Sequence, residues 1–257
     1  EQNRFCGWGS MASAEPPTGG CLRCWLTVAT FAALKVALKR AAGFISPASV
    51  PRRSRAMLYF FIRRSSLALS AAVIFIAGSV AGYWRFVQTR TEVLAQLVTT
   101  AERCAVAFEP GELNRLSATR ADLGTPAYAS VKDRLMRLQA VDPSVRFVYL
   151  FRHVPGATGV TFLADSESPE SKDISLPGDD YPEAPASPGL QEIIATGRSS
   201  TEGPLEDTFG SWVTGYALVG TPAPGEPQSI LGLDIEANHW YRTLWTAALG
   251  TAGYVWM

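Results

Sequence analysis

Aromatic and acidic residues alternate with aliphatic residues in three segments that have the composition of β-strands. The segments are RFVYLFRH at 146–153, SWVTGYALV at 211–219 and SILGLDI at 229–235. Because successive side chains of a strand point to opposite faces, the aromatic and acidic residues of each segment share one face. Aromatic surface with a few polar groups, and a glycine that leaves room, is typical of a pocket for a small molecule. The residues predicted to bind a ligand are Tyr149, Phe151, Asp165, Trp212, Tyr216 and Asp234.

These residue types suit different contacts with a ligand. Asp234 is expected to pair with a cationic group, and Tyr149, Tyr216 and Trp212 are expected to stack on a ligand or to form hydrogen bonds with it. Asp165 ends another strand-like segment and is expected to join them. Two alternatives stay open, since aromatic residues are common on strands and Asp234 is also in position to cap the helix that follows.

Motifs of common catalytic and metal sites are absent from the sequence. There is no H-E-x-x-H, no G-x-S-x-G and no P-loop. Cys21 and Cys24 form a lone C-x-x-C with no histidine nearby, and the acidic stretch at 165–183 lacks the spacing of an EF-hand. We therefore expect no catalytic residue, no metal and no cofactor in this chain.

The helices and strands that must position these residues are predicted from the periodicity of apolar residues and from the residues that begin or end such elements. Helical spacing of apolar residues predicts a long helix through 85–109 and a second helix that begins at Thr125-Pro126. Two strands follow, at 146–153 and 158–165, then a long polar surface loop at 166–186. A short helix after Ser187 and the last two strands complete the unit. The predicted fold class is α+β, with the long N-terminal helix packed on an antiparallel sheet.

An uncharged segment of 20 residues, Ser65–Trp84, precedes this unit and predicts a transmembrane helix. A cleaved signal peptide and a buried helix of a soluble protein are the alternatives. The last 15 residues, 243–257, are also uncharged, and we interpret them as the start of a second, truncated span. Residues 1–56 are interpreted as a basic N-terminal tail, disordered or spurious.

The formal net charge of zero hides an uneven distribution of charge along the chain. Residues 1–56 carry +6, residues 57–85 carry +3, residues 86–238 carry −10 and residues 239–257 carry +1. By the positive-inside rule, the basic flank lies in the cytoplasm, so that residues 86–240 lie outside it. An acidic unit of this kind predicts no binding to nucleic acid.

Several segments of this unit resemble the single Cache (PAS-like) extracytoplasmic sensor domain of bacterial membrane receptors. The resemblance covers residues 86–240 and lies mainly in RFVYL at 146–150, DSE at 165–167, EGP at 202–204, FGSWVTGYALV at 209–219 and LGLDI at 231–235. The chain departs from the arginine–tryptophan–tyrosine cluster by which amino-acid-binding Cache receptors are known. The resemblance implies a sensor for a small-molecule ligand.

The resemblance also implies a place for the chain in signal transduction. It would be the input portion of a homodimeric receptor in the bacterial inner (plasma) membrane, relaying to a cytoplasmic output module beyond these residues. A sensor histidine kinase of a two-component system is the first expectation. A diguanylate cyclase, a chemoreceptor or a membrane-anchored binding protein without an output module are the alternatives.

Overall fold

The structure, a computed structural model, describes residues 52–257. The chain divides into two compact units, residues 1–67 and 68–257. Of the first unit the structure describes only residues 52–67, which are helical. The predicted basic tail at 1–56 therefore lies outside the described residues, except for its last five.

Helix α1, Arg52–Ala105, contains the predicted transmembrane segment and continues without a break into the folded unit. Its part Tyr59–Ala105 is long and apolar enough to cross a membrane, and only 11% of its most apolar stretch is buried within the protein. An apolar helix that is not covered by protein fits a lipid environment better than a soluble core. The assignment of Ser65–Trp84 as a span stays a prediction.

Four further α-helices follow, and two of them begin at the predicted N-caps. They are α2 (Pro110–Leu113), α3 (Pro126–Val141), α4 (Pro188–Thr196) and α5 (Ala237–Trp256), with single 3₁₀ turns at Arg120–Asp122 and Ala184–Ala186. The Thr125 side chain accepts a hydrogen bond from the Tyr128 amide, and the Ser187 side chain accepts one from Leu190. Gly197 ends α4 in the left-handed conformation that glycine adopts without strain. The predicted starts of α3 and α4 are thus confirmed.

Five strands form one antiparallel sheet in the order β2-β1-β5-β4-β3. The strands are β1 (Val145–His153), β2 (Thr161–Asp165), β3 (Ser200–Asp207), β4 (Gly210–Leu218) and β5 (Gln228–Glu236). The central strand, β5, runs directly into α5. A change in the position of β5 is therefore passed to this helix without an intervening loop.

Strand β3 is the element that the sequence analysis missed. It contains Gly203 and Pro204, and its register with β4 shifts between Glu202 and Leu205. Proline has no amide hydrogen for a ladder, so within sheets it is restricted to edges and bulges. The strand satisfies this restriction because it lies at the edge of the sheet, but its sequence does not have the alternation of a central strand.

The aliphatic face of the sheet packs on α1, as predicted, and also on α3 and α5. Leu150 pairs with Leu231, and Val148 pairs with Leu233, across the β1–β5 ladder. These side chains are almost fully buried in one apolar cluster with Leu97 of α1. The predicted α+β fold, with a long N-terminal helix on an antiparallel sheet, is confirmed.

The segment 166–186, which was predicted to be a surface loop, is partly buried. Ser175, Tyr181 and Ala184 are buried, and the Ser166 hydroxyl accepts a hydrogen bond from the Val148 amide. The Gly178 amide donates a hydrogen bond to the carbonyl of Phe162 in β2, and the Phe162 amide donates one to the carbonyl of Asp179. The segment is therefore a surface loop, as predicted, but part of it also covers the aromatic face of β1 and β2.

Candidate functional site

A small cavity lies on the aromatic face of the sheet. Its volume is about 30 Å³, room for about two water molecules. Its lining combines aromatic rings with carboxyl groups. The lining residues are Phe147, Tyr149, Phe151, Phe162, Asp165, Asp173, Ser175, Tyr181, Asp207, Phe209 and Asp234. Four of the six predicted ligand-binding residues belong to this set.

The aromatic wall is held together by contacts between rings. Phe151 lies at the centre of this wall, with centroid distances of 4.8 Å to Tyr149, 4.6 Å to Phe162 and 5.3 Å to Tyr181. Rings at these separations stabilise one another beyond the area they bury. Three of these residues come from β1 and β2, and Tyr181 comes from the loop, so the loop is needed to complete the wall.

Gly232 of β5 permits the ring of Tyr149 to lie flat on the sheet. A Cβ atom built on Gly232 would lie 2.1 Å from Cε2 of Tyr149. The glycine was predicted to leave room for a ligand, and in the structure the space beside it is occupied by this ring. The consequence is that the hydroxyl of Tyr149 reaches Asp234 on the same strand as the glycine.

Asp234 is buried and is held by two hydroxyl groups. The Tyr149 hydroxyl donates to its Oδ1 at 3.1 Å, and the Thr214 hydroxyl donates to the same atom at 2.7 Å. Burial raises the pKa of Asp234 to about 7; these two hydrogen bonds lower it, and the carboxylates of Asp207 and Glu202 raise it. Asp234 does not cap α5, whose N-cap residue is Glu236 and has no side-chain capping bond.

Asp165, also buried, differs from Asp234 by having a cationic partner. Its Oδ1 lies 2.5 Å from Nζ of Lys132 on α3, and its Oδ2 accepts a hydrogen bond from the Ser175 amide. Burial raises the pKa of Asp165, and the contacts with Lys132 and Ser175 oppose that rise. This carboxylate therefore links the cavity to α3 and to the covering loop.

Asp207, the last residue of β3, also lines the cavity and was not among the predicted site residues. Its Oδ1 accepts hydrogen bonds from the amides of Phe209 and Gly210 and from Nε1 of Trp212. The Tyr181 hydroxyl lies 3.4 Å from its Oδ2. The sequence Asp-Thr-Phe-Gly before a strand is a signal for such an aspartate turn, but it does not reveal that the turn reaches this cavity.

Trp212 and Tyr216 belong to the aromatic face but do not line the cavity. The ring of Trp212 packs against Phe147 with a centroid distance of 5.0 Å. Tyr216 donates a hydrogen bond to the buried carboxylate of Glu202, which also accepts bonds from the Ser187 hydroxyl and the Gly189 amide. This second network attaches α4 to the sheet through the helix N-terminus.

The described part of the chain, residues 52–257, holds no group of three or more histidine, cysteine or acidic residues that could bind a metal ion. Aromatic rings lie beside the carboxyl groups in the lining of the cavity. The arrangement is suited to binding an organic molecule.

No family model and no curated protein matches the chain. Among solved structures, it is similar to the sensory domain of the chemoreceptor Tlp3 of Campylobacter jejuni, with 14% sequence identity and a TM-score of 0.42. This match covers 70% of this chain and 66% of that chain. The Tlp3 ligand-binding domain in complex with L-norvaline gives 15% identity and a TM-score of 0.43, covering 68% of this chain and 62% of that one.

The extracellular domain of the putative histidine kinase mmHK1S-Z2 gives 14% identity and a TM-score of 0.39, covering 62% of this chain and 59% of that chain. These structures are sensory, ligand-binding or extracellular domains, which is the class indicated by the resemblance to Cache domains. At such scores and identities, neither a ligand nor an output module is transferred to this chain.

Proposed function

We propose that this chain is the extracytoplasmic input portion of a transmembrane signal-transduction receptor that senses a small molecule. The observation that supports this proposal is the connection between the cavity and α5. Asp234, which lines the cavity, lies on β5 two residues before Glu236, the N-cap of α5. The opposite face of the same strand packs on α1 through Leu231 and Leu233.

A ligand in the cavity would act on both helices through this strand. A ligand that binds one arrangement of β1 and β5 more tightly than another shifts the population toward that arrangement, by no more than the difference in its affinities. Phe86 of α1 contacts Trp245 of α5 with a centroid distance of 5.1 Å, and Phe75 stacks on Trp256 at 5.2 Å. A shift of α5 along α1 would change these contacts.

The output module is proposed from the resemblance to Cache domains alone. A histidine kinase in the bacterial inner membrane, acting as a homodimer, is the preferred form of this receptor. A diguanylate cyclase, a chemoreceptor or a binding protein without output is the alternative. A phosphoacceptor-histidine helix and ATP-binding glycine boxes encoded beyond residue 257 would support the kinase, and their replacement by a cyclase or chemoreceptor module would contradict it.

Reporter fusions test the topology on which the proposal depends. Alkaline phosphatase fused after residue 160 should be active, because it would lie outside the cytoplasm, and a fluorescent protein fused there through the general secretory route should be dark. A fusion after residue 58, before the predicted span, is the matched control and should give the opposite pattern. A cytoplasmic pattern at residue 160 would overturn the proposed function.

A further inference from the structure

We propose that the cavity on the aromatic face binds a small organic cation that carries a primary ammonium group. This inference depends on the proposed sensing function and names the chemical class of the ligand. It is based on the charges and on the aromatic rings of the cavity lining. These two properties are independent of each other.

The carboxyl groups of the lining are only partly matched by cations. Four aspartates line the cavity, and no lysine or arginine is among the lining residues. Asp165 is paired with Lys132 at 2.5 Å, and Asp173 lies 3.4 Å from Arg146. Asp207 and Asp234 remain, and among residues 52–257 neither of them forms an ion pair with a basic side chain.

The carboxylate of Asp234 is costly to bury without a cation, because this residue is only 5% exposed. Both hydrogen bonds that it accepts within the described part of the chain go to Oδ1, which leaves Oδ2 for another donor. A buried carboxylate that lacks an ionic partner is costly unless a partner arrives or the group takes up a proton. A primary ammonium group supplies both the positive charge and N–H donors.

The rings around these carboxylates favour an organic cation over a hydrated metal ion. Aromatic faces attract cations within about 6 Å, and this attraction is stronger where water is excluded. Phe147 of the lining already interacts in this way with Arg146, whose Cζ lies 4.1 Å from the ring centroid. An alkylammonium ion would place its carbon atoms on the rings and its nitrogen toward Oδ2 of Asp234.

The charge and the N–H groups of the proposed ligand distinguish it from other ions. A quaternary ion such as tetramethylammonium has no N–H to donate. A carboxylate ligand would meet two carboxyl groups without a cation and is disfavoured by charge.

Thermal unfolding of the full chain in lipid nanodiscs tests the inference. Ethylammonium chloride should raise the unfolding midpoint in a saturable way, by about 5 °C at a hundredfold excess over its Kd. Sodium chloride, tetramethylammonium chloride and sodium propionate at equal concentration should not raise it in this way. A midpoint that responds equally to ethylammonium chloride and sodium chloride would overturn the inference.

Two substitutions locate the effect in the cavity. Asp234→Asn keeps an oxygen that accepts from Tyr149 and Thr214 but removes the charge, so the affinity for ethylammonium should fall at least tenfold. Asp207→Asn should weaken it in the same direction and serves as the second variant. Asp133→Asn is the matched control, since Asp133 is an exposed carboxylate that pairs with Arg137 on α3, and it should leave the affinity unchanged.

The possible failures of this experiment are distinguishable from failure of the proposed function. An ethylammonium shift that survives both cavity substitutions would place the binding elsewhere and overturn the inference. Stabilisation by propionate that is lost in Asp234→Asn would overturn the proposal that the ligand is a cation. It would still support a pocket for a small molecule. The topology measured by the fusions at residue 160 does not depend on any of these results.

Discussion

The two faces of the sheet are made from the same strands but differ in what they bury. The aliphatic face buries Val148, Leu150, Leu231 and Leu233 against helices, and hydrophobic burial there stabilises the fold. The aromatic face buries the carboxyl group of Asp234 without a cation, which costs stability. The difference teaches that both faces bury apolar side chains, whereas the aromatic face also keeps the carboxyl group of Asp234, which a ligand can satisfy.

A second comparison lies within the aromatic face itself. Asp165 and Asp234 are both buried lining residues, but Asp165 has Lys132 and Asp234 has only hydroxyl donors. Asp165 is thus an internal reference for Asp234. Loss of the cation beside Asp165 leaves an uncompensated charge and should lower stability. Loss of the carboxylate charge of Asp234 removes an uncompensated charge and should raise stability.

The largest effect is expected from removal of the cation beside Asp165. Lys132→Met should lower the free energy of unfolding by about 4 kcal/mol at pH 7, because it leaves a buried carboxylate without its partner. Denaturant unfolding followed by tryptophan fluorescence measures this loss. The loss should shrink as the pH is lowered and Asp165 takes up a proton.

The double variant Lys132→Met/Asp165→Asn is the control for this prediction. It removes both charges, so most of the lost stability should return. If the double variant is no more stable than Lys132→Met, packing of the lysine stem and not its charge is responsible.

On the aliphatic face, truncation of a central side chain should cost nearly as much. Leu231 is fully buried between Leu150 of β1 and Ala217 of β4. Leu231→Ala should lower the free energy of unfolding by about 3 kcal/mol, through lost burial and the cavity left behind. Val141→Ala, at a residue that is 81% exposed, is the control and should change it little. Equal effects at the two positions would contradict the assignment of the core.

A methyl group added to Gly232, on the aromatic face of β5, should lower stability less than Leu231→Ala does, but it should weaken ligand binding more. Gly232→Ala forces the Tyr149 ring away from the sheet and should cost about 2 kcal/mol. It should also weaken ethylammonium binding, because the Tyr149 hydroxyl leaves Asp234. Gly159→Ala has open space around its Cβ and is the matched control. Binding that is unchanged in Gly232→Ala would separate Tyr149 from the site.

Asp234→Asn is expected to change stability in the opposite direction. Because the folded-state pKa of about 7 exceeds the ordinary value of 3.8, the folded protein binds the proton more tightly than the unfolded chain. Stability of the wild type therefore falls as the pH rises from about 4 to 7. The neutral amide side chain avoids this loss, so the variant should be about 4 kcal/mol more stable at pH 8 and nearly equal at pH 4. An advantage that is independent of pH would contradict this explanation.

The groups that surround Asp234 do not reverse this pH dependence. Glu202 and Asp207 of β3 add negative potential, and Tyr149, Tyr181 and Tyr216 face it with phenol groups. Burial raises the pKa of each of these tyrosines, and neighbouring carboxylates raise it further, so they stay neutral between pH 4 and 8.

The features of the fold that could be predicted from the sequence are those that a local pattern determines. Alternation assigned Val148 and Tyr149 to opposite faces, and Thr125 and Ser187 were recognised as N-caps, because both signals depend only on near neighbours. Strand β3 was missed because Pro204 interrupts its pattern and only its place at the sheet edge makes the strand possible.

The cavity was predictable only in part, because its remaining walls come from tertiary structure. Tyr149, Phe151 and Asp234 followed from strand alternation. Tyr181 lies in a loop and Asp207 is the last residue of the edge strand β3, and no sequence pattern indicates that these segments reach the cavity beside β1. Trp212 and Tyr216 were assigned to the correct face, but their position along the sheet, away from the cavity, depends on the register of β4 with its neighbours.

The titration of Asp234 tests the central claim most directly. Carbon NMR of the full chain, labelled at the aspartate carboxyl groups and compared with Asp234→Asn to assign the signal, follows this group from pH 4 to pH 9. We predict a pKa of about 7 without ligand and a lower pKa in saturating ethylammonium chloride, since a bound cation stabilises the carboxylate. A pKa near 3.8 that does not change with ethylammonium would contradict the account.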